Sequence, residues 1–205
     1  FLFFAWPSEM SGENCWVSTQ SWLGLGYDLP DTFTQATPLG LAANGQDITS
    51  SMSDMLLGTM PGSIGETSVI AIAIGAAILL ITRIASWRTM LSVFVGGAVV
   101  AWLFDAGMPA DNVVAHIGCN HLLLGGFCFG AVFMATDPVT SARTEKGKYI
   151  YGFLIGALAI TIRVLNPGFP EGMMLAILFM NMFAPLIDYC FVQANISKRM
   201  KRMIK

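Results

Sequence analysis

Apolar runs alternate with short polar loops along most of the chain. Five of them follow one another from residue 64 onwards, and most approach the roughly 20 residues that a helix needs to cross a membrane. They cover residues 64–82, 89–104, 119–136, 149–165 and 172–192. The second run is short and must recruit flanking residues such as Trp87. This pattern predicts an all-α membrane protein with a bundle of about five full transmembrane helices.

The chain around these runs divides into four parts. Residues 1–7 are apolar and aromatic, and we interpret them as the end of a preceding transmembrane helix in a chain that begins partway through a longer protein. They lack a basic leader and a cleavage site, so we do not expect them to form a signal peptide. Residues 8–63 are rich in Ser, Thr, Gly, Asp and Asn, and so long a connection is usually functional. The bundle then occupies 64–193, and a basic tail follows at 194–205.

The charges exclude an ordinary soluble domain and predict an orientation. Only 12% of the residues are charged, about half the roughly 25% of soluble domains. The basic residues other than Arg163 occupy alternate loops and the tail, and such residues stay on the cytoplasmic side. We therefore expect a cytoplasmic C-terminus and an extracytoplasmic segment 8–63. The residues that carry this prediction are Arg83, Arg88, Arg143, Lys146, Lys148 and the basic side chains of 198–205.

One short motif lies in the extracytoplasmic segment. Residues 31–39 are Asp-Thr-Phe-Thr-Gln-Ala-Thr-Pro-Leu. Thr37 and Pro38 predict a helix start, because Thr is a good N-cap and Pro is favoured at the first helical position. The free N–H groups of such a start favour a phosphate beside the Thr37 hydroxyl. Most Thr-Pro caps bind nothing, so the residues alone leave both interpretations open.

The pattern Asp-x-x-Thr-x-Ala-Thr-x-Leu resembles the flavin-attachment motif of sodium-translocating NADH:quinone oxidoreductases and their relatives. Longer stretches look like the C-terminal half of the B subunit in that family. Members of the family are about twice this length, and their additional N-terminal helices help to form the quinone site. The stretches that carry the resemblance are 1–10, 61–66, 84–88, 133–139 and 163–183.

The resemblance implies a set of cofactors. A flavin transferase would join FMN through its phosphate to Thr37, within a motif that includes Asp31, Thr34 and Ala36. A tether of this kind prevents loss of the cofactor to the outer compartment. The family also binds riboflavin without a covalent bond, uses ubiquinone as acceptor and transports Na⁺.

Two residues depart from the family's motif. Gln35 stands where Gly or Ser is usual, and Thr32 stands where Gly is common. Gln is bulkier than either and lies beside the acceptor that the transferase must reach, but we still expect attachment at Thr37. The resemblance further implies partners: an NADH-oxidising subunit with flavin and iron–sulfur centres, a second FMN-bearing subunit and the lipid bilayer, with no nucleic acid among them.

Three charged residues fall in or beside the apolar runs, where such residues are costly and often functional. Asp137 is either a helix-ending turn residue or part of a cation pathway, and Asp188 lies inside the fifth run. The resemblance implies sodium handling at both positions. Arg163 lies near the outer end of the fourth run. It either extends towards lipid phosphates or pairs with the phosphate or ring of the flavin on Thr37.

His116 and His121, with Cys119 between them, suggest a metal site. Metal sites need three or four convergent ligands, and no nearby residue completes the set. We therefore interpret both histidines as interfacial residues.

Glycines spaced four apart occur twice, as 126/130 and 152/156. This spacing is typical of closely packed membrane helices. The alternative is a smooth surface that holds a flat cofactor.

Two further functions fit parts of the pattern. The first is the homologous subunit of an ion-pumping ferredoxin:NAD oxidoreductase, which shares the flavin motif and the topology. The second is a flavin-free transporter or channel subunit, which explains the helices and the acidic residues but not the motif at Thr37.

Overall fold

The computed structural model describes residues 5–6, 37–46, 48, 51–60, 62–63, 65–109, 112–166 and 171–203. Regular structure in these ranges is helical. The principal helices are α1 (Pro38–Ala43), α2 (Met52–Leu57), α3 (Val69–Ile81), α4 (Trp87–Gly107), α5 (Glu145–Leu165) and α6 (Met173–Met203). Between α4 and α5 lies a broken segment, which consists of a 3-10 helix (Ala115–Leu122), one α-helical turn (Phe127–Phe129) and a π-helix (Gly130–Met134).

Three helices are long and apolar enough to cross a membrane: α4 and α5 with 21 residues each, and α6 with 31. The two parts of the broken segment are bent by 45° and together make up a possible fourth span. The expectation of five full spans is therefore wrong for two runs. The first run forms only the 13 residues of α3. The third is interrupted because Gly125 adopts a positive φ value of 60°, which a continuous right-handed helix does not permit. Gly118, just before this run, also has a φ of 60°.

Several boundaries differ from the apolar runs because the helices extend into polar sequence. α4 fills a whole span, since Trp87 and the residues up to Gly107 join it. α5 begins at Glu145 after an N-cap at Thr144, whose Oγ1 accepts a hydrogen bond of 3.2 Å from Gly147 N. α6 continues to Met203, so most of the predicted basic tail is helical. Lys and Arg are good helix formers and do not end a helix.

Glycines bring α4 and α5 together as parallel neighbours. A Cβ at Gly152 would collide with Ser92 Oγ, and a Cβ at Gly156 would collide with the Val93 carbonyl oxygen. A Cβ at Gly96 would collide with the carbonyl oxygen of Phe153. The packing interpretation of the 152/156 pair is thus confirmed.

The 126/130 pair behaves differently. Gly130 packs against α6, where a Cβ would lie 2.5 Å from Met173 Cγ. Gly126 instead lies at the bend of the broken segment and faces two carboxylates, those of Glu66 and Glu171. Only Gly130 therefore serves helix packing in the way the spacing predicted.

α6 runs antiparallel to α5 and holds it at three levels. Gly172 lies against Ala159, the Tyr151 hydroxyl donates a hydrogen bond to Asn181 Oδ1, and Asp188 contacts Thr144. The bundle therefore has a basic end, which we define by Arg88, Arg143, Lys146, Lys148 and the last turns of α6, and a far end, which we define by Arg163, Glu171 and α1. The 21 residues of α5 separate the two ends by about 31 Å.

Large apolar side chains cover the outside of the bundle, as expected of a surface that faces lipid. Trp87 and Trp102, near opposite ends of α4, are 52% and 68% exposed. Their positions fit aromatic residues at the two membrane–water interfaces.

Candidate functional site

Thr37 caps the short helix α1 at the far end. Its backbone is extended (φ −62°, ψ 152°), and its Oγ1 accepts a hydrogen bond of 3.1 Å from Gly40 N. Pro38 occupies the first helical position. The predicted helix start is therefore confirmed. Because α1 has only six residues, it offers few aligned peptide dipoles for an anion, and any strong compensation of a phosphate must come from side chains.

The Thr37 side chain is half-buried and borders a small cleft between α1 and the bend of the broken segment. Leu39, only 2% exposed, anchors α1 to this bend: a Cβ on Gly125 would lie 2.6 Å from Leu39 Cδ1. The cleft is lined by Thr37, Pro38, Leu39, Met60, Gly62, Glu66, Thr67, Gly125 and Glu171.

Two carboxylates meet at the base of this cleft. Glu171 Oε2 accepts a hydrogen bond of 3.3 Å from Gly126 N, and Glu66 Oε1 accepts one of 3.2 Å from Ser63 N. A Cβ on Gly126 would lie 2.9 Å from Glu66 Oε2 and 3.5 Å from Glu171 Oε2. The two acids therefore share one small volume beside Thr37.

Burial raises the pKa of the Glu66 carboxyl above its ordinary value, and the negative charge of Glu171 raises this pKa further. The hydrogen bonds from Ser63 and the positive charge of Arg163 oppose both effects. Glu66 consequently takes up a proton at a higher pH than an exposed glutamate does. A protonated Glu66 would repel a neighbouring phosphate less than an ionised one.

Arg163, near the C-terminal end of α5, is 1% exposed and points into the protein. Its Nη1 donates to His121 O at 2.7 Å, and its Nη2 donates to Leu124 O at 3.3 Å and Glu171 O at 3.4 Å. The interpretation that Arg163 extends towards lipid is therefore wrong. Buried carbonyl groups need donors, and the bend of the broken segment supplies carbonyls that this guanidinium binds.

The two histidines differ in environment. His116 is exposed, and its Nδ1 lies 3.0 Å from Asp105 Oδ1. His121 is fully buried, so the interfacial interpretation is wrong for His121, whereas for His116 it stays a prediction. Across the ranges that the structure describes, no three His, Cys, Asp or Glu side chains converge as metal ligands.

At the basic end, two acidic residues bind polar groups of the loop that leads into α5. Asp188 Oδ2 accepts from Arg143 N at 2.7 Å, and its Oδ1 accepts from Thr144 N at 2.9 Å and Thr144 Oγ1 at 2.6 Å. Asp137 Oδ2 accepts from Thr140 N at 3.1 Å and Thr140 Oγ1 at 2.7 Å. These bonds to Thr140, led by the hydroxyl, lower the pKa of the Asp137 carboxyl. Asp137 therefore remains anionic at neutral pH, and both acids order the loop.

The comparison with known families decides the affiliation. The sequence model of the NQR2, RnfD, RnfE family matches residues 1–197. The chain belongs to the NQR2, RnfD, RnfE family. The described part of this family member is helical and holds three or four candidate membrane spans.

Curated relatives of this NQR2, RnfD, RnfE family member are named as the B subunit of Na(+)-translocating NADH-quinone reductase. The protein from Chromohalobacter salexigens is 54% identical over 98% of this chain and 48% of its own length. The protein from Pseudomonas aeruginosa is 50% identical over 98% and 49%, and that from Klebsiella pneumoniae subsp. pneumoniae is 47% identical over 98% and 49%. The chain thus spans about half the length of the curated relatives it matches.

The predicted site residues of this family member fall into separate groups. Thr37 and Arg163 belong to the far end, where the cleft residues Gly125 and Glu171 lie near both. Asp137 and Asp188 belong to the basic end. The remaining motif residues, Asp31, Thr34 and Ala36, lie outside the described residues, and their roles remain predictions.

Sequence reasoning missed Glu66 and Glu171 as members of the Thr37 cleft. Each acid adjoins a glycine with positive φ, namely Gly65 (88°) and Gly172 (62°), at the edge of an apolar run. An acid beside a glycine at the end of a span was the signal that could have found them. Their convergence depends on the bend at Gly125, which the apolar pattern does not show.

Proposed function

We propose that the chain belongs to the membrane electron-transfer subunit of a sodium-pumping NADH:ubiquinone reductase. It carries FMN as a phosphoester on Thr37 and passes electrons towards riboflavin and ubiquinone, coupled to Na⁺ export. The observation that carries the proposal is the half-buried Thr37 hydroxyl at the border of a cleft, within the family's attachment motif. The names of relatives at 47–54% identity favour this function over that of the ferredoxin:NAD oxidoreductase subunit.

The residues around Thr37 fit a tethered phosphate. Pro38 and Leu39 are buried and hold the attachment residue in place. Arg163 contributes a buried positive charge beside the bend, and Glu66 reduces repulsion when it is protonated. FMN would supply reversible electron acceptance, whereas the chain's own residues position the tether and tune its electrostatic surroundings.

Other parts of the reaction belong to partners. We propose that an NADH-oxidising subunit with flavin and iron–sulfur centres delivers the electrons, together with a second FMN-bearing subunit. The basic end would face the cytoplasm of a bacterial inner membrane, because basic residues stay on that side. The Thr37 cleft would then open on the extracytoplasmic side.

Replacing Thr37 with alanine is expected to remove covalent flavin completely, because alanine has no oxygen to form the ester. The measurement is flavin fluorescence under ultraviolet light after denaturing electrophoresis, in a host that contains the transferase. Thr67→Ala is the matched control, since Thr67 lines the same cleft and its loss should leave the fluorescent band intact. A band of unchanged brightness in Thr37→Ala would refute attachment at this residue.

We further propose Asp137 and Asp188 as residues of the Na⁺ pathway at the basic end. Sodium prefers oxygen ligands, and each acid offers a carboxylate at the loop that leads into α5. The hydrogen bonds to Asp188 also give it a structural role. The charge and the hydrogen-bond acceptor of this side chain therefore need to be separated by substitution.

Asp188→Asn keeps an acceptor for the loop but removes the charge, whereas Asp188→Ala removes both. Because hydrogen bonds to charged groups contribute roughly 1.5–3 kcal/mol each, Ala should lower the free energy of unfolding by about 2 kcal/mol or more. Asn should affect it less but should weaken the dependence of turnover on Na⁺ concentration. Thermal unfolding and sodium-titrated turnover measure the two effects. Unaltered sodium dependence in Asp188→Asn would restrict this residue to a structural role.

A further inference from the structure

The outer surface of α4 and α5 contains an apolar groove that no described residue covers. It is lined by Leu91, Val95, Tyr149, Ile150, Phe153 and Leu154. Leu91 is 50% exposed and Ile150 is 45% exposed, so the groove opens to the surroundings of the bundle. At its base, Ser92 Oγ donates to the carbonyl of Lys148 at 3.3 Å. This bond ties the two helices together and sets the position of Lys148 relative to the groove.

Charged residues lie where the groove reaches the basic end. Glu145 pairs with Arg88, and Lys148 Nζ lies 3.1 Å from Glu145 Oε1. One carboxylate thus serves two cations, which leaves a net positive charge at this point. The Glu145 side chain is 59% exposed and that of Lys148 is 21% exposed. Another anion can therefore displace the Glu145 carboxylate from the two cations at a modest cost in free energy.

An aromatic pair lies at the same level. The rings of Trp87 and Tyr149 meet edge to face with centroids 6.4 Å apart, and the Arg88 guanidinium carbon lies 5.5 Å from the Trp87 ring centroid. Trp and Tyr concentrate at the depth of lipid headgroups. The groove therefore combines an apolar channel, an interfacial aromatic pair and a positive charge in the order in which a phospholipid presents acyl chain, glycerol and phosphate.

We propose that this groove is a binding site for an anionic phospholipid. One acyl chain lies between α4 and α5 against Leu91, Phe153 and Leu154, and the phosphate binds Arg88 and Lys148 in place of part of their contact with Glu145. Basic sites between transmembrane helices bind acidic headgroups. A neutral isoprenoid lipid is the other molecule that could occupy an apolar groove. Its headgroup carries no charge for Arg88 and Lys148 to bind, so the groove favours an anionic phospholipid. The inference requires only that the bundle spans a membrane and is independent of flavin attachment.

The test uses the whole complex purified in mild detergent and exposed to equal amounts of phosphatidylglycerol and phosphatidylcholine. Retained lipid is counted by native mass spectrometry. We expect preferential retention of phosphatidylglycerol and a loss of about fivefold for Arg88→Gln or Lys148→Gln, since each basic residue near an anionic lipid contributes roughly that factor. Glu145→Gln, which removes the competing carboxylate, should increase retention. Arg199→Gln, an exposed cation near the end of α6 that does not line the groove, is the matched control and should change retention much less.

A second variant tests the apolar part of the site. Leu154→Trp fills the groove without changing its charge and should release phosphatidylglycerol as effectively as the loss of a cation. Retention of both lipids to the same extent, or retention that is unaffected by Arg88→Gln and Lys148→Gln, would overturn the proposal. So would a groove that another subunit covers, which would show as no retained lipid in the native complex.

Discussion

Arg163→Leu is expected to destabilise the protein by about 3–5 kcal/mol, because buried carbonyl groups lose a charged donor and hydrogen bonds to charged groups contribute roughly 1.5–3 kcal/mol each. Leucine would leave the carbonyl groups of His121 and Leu124 without this donor, whereas Glu171 O would still accept from Met173 N at 2.7 Å. It would also remove the positive charge that opposes the proton uptake of Glu66. The thermal unfolding midpoint of the purified complex in detergent measures this loss.

Two variants separate the causes of that effect. Arg88→Leu removes a partly exposed arginine and should change the free energy of unfolding by less than about 1 kcal/mol. Arg163→Lys keeps the charge but not the planar set of donors, so it should recover only part of the stability. If Arg163 also acts on the flavin phosphate or ring, Arg163→Lys should shift the flavin reduction potential. A stable Arg163→Leu variant with unchanged flavin behaviour would contradict both roles.

Gly156→Leu should have an effect of similar size through packing alone. A Cβ at this position would collide with the Val93 carbonyl oxygen and lie 2.6 Å from Gly97 N. Both obstacles are backbone, so α4 and α5 would have to move apart. Overpacking costs typically 1–3 kcal/mol and occasionally more, and we expect about 3 kcal/mol or more here because neither obstacle can change rotamer.

Gly107→Leu is the matched control for this prediction. Gly107 also lies in α4, but a Cβ there would meet nothing within 4 Å. Thermal unfolding and the yield of assembled complex should distinguish the two variants. Equal stability of Gly156→Leu and Gly107→Leu would show that the helices are not held at the distance set by Gly156.

The sequence predicted features that depend on local chemistry. The cap at Thr37 follows from a hydroxyl before a proline, and its hydrogen bond to Gly40 N forms as expected. The close approach of α4 and α5 at Gly152 and Gly156 follows because glycine has no side chain to hold the helices apart. α4, α5 and α6 follow from long apolar runs, although the polar residues at their ends extend each of them.

Features that depend on tertiary contacts were not predictable in the same way. The bend at Gly125 interrupts an apolar run without changing its hydropathy. Arg163 looked like a residue at a membrane surface because the pattern cannot show which carbonyls a bend turns towards it. Asp188 similarly looked like an isolated acid, whereas its partners Arg143 and Thr144 lie 44 or 45 residues away in the sequence.

The most direct test of the central claim is peptide mass spectrometry of the active complex. After proteolysis, the peptide that contains Thr37 should carry the mass of FMN less one water, and fragmentation should place the added mass on Thr37 itself. The same peptide from Thr37→Ala should be unmodified. Recovery of the native peptide without added mass, from a complex that oxidises NADH and reduces quinone, would contradict the proposal that this hydroxyl holds the flavin.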